Sequence, residues 1–260
     1  MNIERRYDVI VVGGGHAGIE AAAAAARMGV RVCLVTLRRE NIGHMPCNPA
    51  IGGIGKGHIV FEVGALGGVM PELCTESYLQ ANMLNLSKGP AVHGLRLQID
   101  KSLYKTAALK KISLYPGITI IYEIVENFIF MSDSLAIQGV ILRGGLSIFA
   151  ESVVVTSGTF LNGLIHMGLK NYSAGRIGEH AIFGLSEVCE NVGISLGRLK
   201  TGTPARLKAS SINFSLLEEQ RSHDIDLLFE YEMHKKVIHK KSCFITRTNQ
   251  NTHDIIRAQI

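Results

Sequence analysis

The chain has no Cys-x-x-Cys pair, no internal repeat and no charge-free run long enough to span a membrane. Its five cysteines, Cys33, Cys47, Cys74, Cys189 and Cys243, are odd in number and fit no metal-site spacing. That excludes a disulfide framework and points to a reduced, cytosolic compartment. The first apolar run follows Glu4, Arg5 and Arg6 and is broken by glycines. It is too short for a signal peptide or a membrane span, so no membrane partner is expected. Charged residues are only 19% and hydrophobic ones 47%, which excludes a disordered chain. The net charge of +5 permits an anionic partner without demanding one. A length of 260 residues suits one large or two modest domains.

What the chain has in excess is glycine, 28 residues clustered mainly in two loops, a sign of backbone approaching a ligand. Tyr7 to Val12 reads as a buried strand, residues 17 to 28 as an alanine-rich helix ended near Gly29, and Val30 to Thr36 as a second strand. Between the first strand and the helix lies Gly13-Gly14-Gly15-His16-Ala17-Gly18. In a βαβ context this spacing is a dinucleotide fingerprint. The first glycine makes the turn, the second admits a pyrophosphate, and the third lets the helix pack on the strand. The alternative is a purely structural turn. The carboxylate that would read a ribose about 20 residues further on is not cleanly present. The strand ends Thr36-Leu37-Arg38-Arg39, and the nearest acid is Glu40. Arg38 and Arg39 suggest either a 2′-phosphate or an exposed loop, and the loop is the simpler reading.

The second glycine-rich loop runs from Met45 through Cys47-Asn48-Pro49 and Gly52-Gly53-Ile54-Gly55-Lys56-Gly57 to His58. Its free N–H groups suit an anion. A thiolate at Cys47 would be activated there, with His44 a candidate partner. The competing reading is a small buried apolar residue, which suits Cys33 and Cys189 well. Lys56 is either a phosphate or cofactor contact or a solvated lysine.

Further along, His58 to Met70 suggests a short helix, Leu95 to Ile112 a longer amphipathic one, and Ile118 to Tyr122 a strand. Asn127 to Phe149 alternates short apolar runs with turn signals (Asp133-Ser134, Gly144-Gly145), as an antiparallel meander does. Glu151 to Ser157 reads as a buried strand, 180 to 192 as a helix, and 197 to 210 as a basic loop. The run Lys235-Lys236 to Lys240-Lys241 reads as a solvated face, Cys243 to Thr246 as a strand, and Thr252 as near a helix start. The chain stops at Ile260 just after Asp254-Ile255-Ile256 opens an apolar segment, which reads as a cut.

The two glycine loops together resemble the MnmG (GidA) family of tRNA-modifying flavoproteins. Ser87-Lys88-Gly89-Pro90-Ala91-Val92, Asn171-Tyr172-Ser173-Ala174-Gly175-Arg176 and Gly197-Arg198-Leu199-Lys200-Thr201-Gly202-Thr203-Pro204-Ala205-Arg206 carry the resemblance further. His93, Leu97-Gln98-Ile99-Asp100 and His180-Ala181 depart from it. The resemblance implies an α/β fold: a Rossmann-like FAD-binding domain of the two-dinucleotide-binding type, with an antiparallel meander and part of an inserted second domain. It divides the chain into an incomplete FAD domain, 1–200, and the start of an NADH-binding or substrate domain, 201–260.

The resemblance further implies FAD held by Gly13, Gly14, Gly15, His16, Ala17, Gly18 and Val125, with Cys47 catalytic and no metal. NADH would be the reductant and methylenetetrahydrofolate the one-carbon donor, for carboxymethylaminomethylation (or aminomethylation) of C5 of wobble uridine 34 in tRNA. The implied partners are tRNA and an MnmE-type GTPase, in a homodimer within a heterotetramer. Arg198, Lys200 and Arg206 become candidate phosphate ligands. Two other readings stay open: a generic NAD(P)H:flavin oxidoreductase, and a truncated or split-gene remnant that binds nucleotide without catalysis. Family members continue well beyond this length and supply a segment that closes the FAD domain. Made alone, this chain is therefore expected to hold FAD weakly or to aggregate.

Overall fold

Uninterrupted runs of β-branched and aliphatic residues, closed by glycine, become the centre of the fold. A computed structural model describes residues 6–225, 227–230 and 240–259. Strand β1 (Arg6–Val12), helix α1 (His16–Arg27) and strand β2 (Val32–Thr36) form the expected βαβ unit. Ile10, Val11, Cys33 and Leu34 are fully buried on the two faces of this sheet. Each buried aliphatic side chain contributes roughly 1.5–3 kcal/mol.

Next come β3 (Ala50–Gly52), α2 (Lys56–Ala65), α3 (Met70–Ser77), β4 (Tyr78–Leu84), β5 (Gly94–Ile99), α4 (Lys101–Ser113) and β6 (Ile118–Tyr122). The meander follows as β7 (Val125–Phe130), β8 (Ile137–Leu142) and β9 (Ser147–Val155). The rest is β10 (Leu164–Met167), β11 (Lys170–Ser173), α5 (Gly184–Asn191), β12 (Glu218–Gln220), β13 (Cys243–Ile245) and α6 (Gln250–Arg257).

The main sheet has the order β6-β2-β1-β9-β8-β7. Its first four strands are parallel and the last two run antiparallel to their neighbours. A separate antiparallel sheet, β3-β5-β4, sits beside α2 and α3. The fold is therefore α/β with a Rossmann-like parallel half and a meander, as the sequence suggested.

Three expectations change. The helix expected from Leu95 to Ile112 is a strand followed by a helix. Residues 95–99 alternate in burial, and Asp100 caps α4 by accepting from the N–H groups of Ser102 and Leu103 at 2.9 and 3.1 Å. The helix expected at 58–70 ends at Ala65, before Gly67 in the left-handed region (φ 78°). A new helix then begins at Met70, where the Glu20 carboxylate accepts from the Val69 and Met70 N–H groups.

The buried strand expected at 151–157 is the second half of β9. Its residues are mostly exposed, Val154 38% and Val155 39%, because among the described residues it is paired on the β1 side alone there. Of the basic run, Lys235 and Lys236 lie outside the described residues. Lys240 lies over the Tyr78 ring at 4.1 Å. No helix among the described residues is long and apolar enough to cross a membrane.

Candidate functional site

The glycine turn sits at the carboxyl ends of β1, β2 and β9, where ligands of parallel sheets bind. Gly13 has φ 107°, and a Cβ there would lie 2.4 Å from the Thr156 carbonyl oxygen. A Cβ on Gly18 would lie 1.7 Å from the Gly13 carbonyl oxygen, which is why α1 can approach β1 so closely. Gly15 differs: it has ordinary φ (−73°), and a Cβ on it would meet nothing within 4 Å, so its free side faces open space. No side chain caps α1, so the first-turn N–H groups are available to an anion. Thr156 braces the turn from the end of β9, its hydroxyl reaching the Val12 and Gly13 carbonyls at 2.8 and 3.1 Å.

These groups line a cleft of about 910 Å³, its open mouth included. Gly13, Gly14, Gly15, His16 and Val125 all face it, and Val125 is buried at the start of β7. Ala17 and Gly18 stand behind that wall in the first turn of α1, and Gly18 lets the helix pack on the turn. Thr36, the last residue of β2, lines the cleft, and Glu40, the nearest acid after it, does not.

Burial, and then the nearby His44, bring the His16 imidazole down to about 4, so it is neutral near pH 7. It lies edge-on to Tyr104, with Nδ1 3.3 Å from the phenol oxygen. Asn41, His44, Pro46 and Arg176 line the same cleft, and sequence reading singled out none of them as cofactor contacts.

Cys47 is half-buried beside Pro46, just off the cleft wall. Its sulfur partner is not His44 but the loop at 201–206. Cys47 Sγ lies 3.6 Å from Thr201 Oγ1. The Thr203 hydroxyl holds the thiol below its ordinary value, with Thr201, Lys101 and Arg206 adding to the effect against a partial burial that raises it. Lys101 Nζ donates to the Cys47 carbonyl at 3.0 Å, and Arg206 Nη2 donates to the same oxygen. Arg198 donates twice to the Asn162 carbonyl at 3.1 Å, so two of the three candidate phosphate ligands fasten the loop. Lys200 and Lys56 are exposed.

The cleft suits an anionic dinucleotide on three counts: the open face of Gly15, the uncapped helix start and a buried amide oxygen of Asn41 without a hydrogen-bond partner. Among the described residues no group of three His, Cys, Asp or Glu side chains could hold a metal ion.

A glycine turn under a free helix N-terminus, at the end of a parallel sheet, defines a dinucleotide-binding α/β protein. Residues 8–260 match the family described as Glucose inhibited division protein A, and the chain belongs to that family. It is 47% identical over 251 residues to the tRNA uridine 5-carboxymethylaminomethyl modification enzyme MnmG of Chlamydia trachomatis serovar L2b (strain UCH-1/proctitis), covering 96% of this chain and 41% of that one. The form II crystal structure of Aquifex aeolicus GidA superposes with TM-score 0.92 and 40% identity, over 100% of this chain and 44% of the other. The GidA-related protein from Thermus thermophilus, at TM-score 0.52 and 19% identity over 72% of this chain and 68% of that one, shares the fold. The chain thus spans about 41% of the length of the curated relatives it matches.

Proposed function

We propose that this chain is the FAD-binding portion of a cytoplasmic enzyme that modifies C5 of wobble uridine 34 in tRNA. The observation that carries this reading is a cysteine, Cys47, tied by hydroxyls and cations beside a glycine cleft, in a chain 47% identical to MnmG. Residues 1–200 would form most of the cofactor domain and 201–260 the start of an inserted NADH-binding or substrate domain. The whole protein would work with an MnmE-type GTPase, as a homodimer within a heterotetramer.

Bound FAD would supply hydride acceptance from NADH and one-carbon transfer from methylenetetrahydrofolate. The residues of this chain have separate tasks. The Gly13–Gly15 backbone and the start of α1 hold the pyrophosphate. His16, neutral near pH 7, adds no positive charge there, so that contact rests on the backbone N–H groups. The Thr201 and Thr203 hydroxyls can donate to the Cys47 sulfur once it is ionised and so favour its thiolate, the form that attacks an electrophilic carbon. Lys101 and Arg206 fix the backbone that carries it. Val125 contributes the wall at the start of β7.

The test is Cys47→Ser in the complete protein, with modified uridine measured by mass spectrometry of digested tRNA. Loss of the modified nucleoside with FAD content unchanged is expected. Full modification would remove Cys47 from the mechanism. Cofactor turnover that needs neither tRNA nor folate would favour a generic oxidoreductase instead.

A further inference from the structure

Asn41 ends the short 3₁₀ turn that follows β2, and only 4% of it is exposed. Its Nδ2 donates to Glu179 Oε1 at 2.7 Å. An ionised carboxylate accepts and never donates, so this contact fixes which way round the amide lies. The amide oxygen must therefore point away from Glu179, and it is buried with no hydrogen-bond partner. Buried carbonyls are almost always paired, so such an oxygen calls for an explanation.

The side chain has little freedom to turn aside. Glu179 Oε2 is paired with Arg176 Nε at 2.8 Å, and the Arg176 guanidinium lies 4.8 Å from the centre of the Phe160 ring. The main chain is pinned as well. The Gly43 N–H donates to the Gly14 carbonyl at 3.0 Å, which ties this turn to the glycine cradle. Asn41, Arg176 and Phe160 all line the cleft that Gly13–Gly15 open into.

We infer that Asn41 Oδ1 is an acceptor for a sugar hydroxyl of the dinucleotide, a contact that replaces the carboxylate missing after β2. The chemistry narrows the ligand group. An amide oxygen accepts only, so it cannot pair with a phosphate oxygen. The donors of FAD that suit an oxygen beside a pyrophosphate cradle are the hydroxyls of the adenosine ribose and of the ribityl chain. The inference rests on the FAD reading above.

The experiment is a titration of the complete protein and of its Asn41→Leu variant, both freed of flavin, with FAD, ADP and FMN, followed by calorimetry. Leucine is close in size and keeps the pocket filled while removing the acceptor. About a tenfold loss of FAD affinity is expected, the effect of one hydrogen bond. A matching loss for ADP with FMN unchanged assigns the ribose, and the reverse assigns the ribityl chain. Equal FAD affinity in the two proteins overturns the role of Asn41 and leaves the cofactor reading standing. No FAD binding by the unsubstituted complete protein overturns both.

Circular dichroism checks that the variant folds. If it does not, the unsubstituted complete protein is titrated with FAD carrying 2′-deoxyadenosine, 3′-deoxyadenosine or a deoxygenated ribityl chain. A tenfold loss for one of these supports the contact, and none for any overturns it.

Discussion

Replacing Gly18 by alanine tests whether the glycine turn is built as described. The new methyl would lie 1.7 Å from the Gly13 carbonyl oxygen and 2.8 Å from Thr156 Oγ1, where ordinary contact begins at 3.4 Å. The nearer atom is backbone, so no side chain can rotate away. Either α1 lifts off β1 or the Gly13 peptide turns, and the second course also disturbs the Thr156 hydroxyl that braces it. Overpacking of this kind costs about 1–3 kcal/mol, and the fixed backbone puts this case at the upper end. A loss of about 3 kcal/mol corresponds to a fall in melting temperature of roughly 6–12 °C in a domain of this size.

Gly15→Ala is the matched control. Its methyl meets nothing within 4 Å and its φ is ordinary, so stability should change by no more than about 1 kcal/mol. That methyl nonetheless fills the space a pyrophosphate needs, and FAD affinity should fall at least about tenfold. Melting by circular dichroism and a flavin fluorescence titration read the two effects separately. A Gly18→Ala protein that melts like the parent would refute the packing argument. A Gly15→Ala protein that binds FAD like the parent would refute the placement of the ligand.

Cys47 should be alkylated by iodoacetamide at lower pH than a free cysteine, and Thr203→Val should move that profile upward, as read by peptide mass spectrometry. A thiol depressed on folding adds stability above its unfolded range and loses it as pH falls through the folded value, so Thr203→Val should also be most destabilising at alkaline pH. Cys74, fully buried and pushed well up by that burial, should react only when the chain unfolds. His16 has its folded value lowered to about 4, so the unfolded chain takes up a proton first as pH falls below about 6.5. Stability should therefore drop between those limits by roughly 2–4 kcal/mol more than in His16→Asn, measured by urea melts at pH 7 and pH 4.5. An equal pH dependence in both proteins contradicts the buried neutral imidazole.

The βαβ core is legible because Tyr7–Val12 and Val32–Thr36 are buried almost without interruption and glycine marks the turn between them. The meander is legible through its turns, with Gly145 at φ 79° where a left-handed residue is needed. The strand β5 is not, since Leu95–Ile99 alternates over too few residues before a true helix begins, and Asp100 is the only local sign of the break. The site is legible in part. The glycine turn is a local pattern, whereas the partners of Cys47 are distant, Thr201 standing 154 residues away. Asn41 looks like an ordinary polar loop residue until Glu179, 138 positions later, fixes its amide. No periodicity or spacing encodes such contacts, because they arise only when the loops fold over one another.

The central claim, that this cleft holds FAD, is tested most directly by the visible absorbance of the complete protein, freed of flavin and titrated with the cofactor. The account predicts a saturable shift in the flavin spectrum at one FAD per chain, competed away by ADP. A spectrum that stays that of free FAD at every concentration, with the chain folded by circular dichroism, would contradict it.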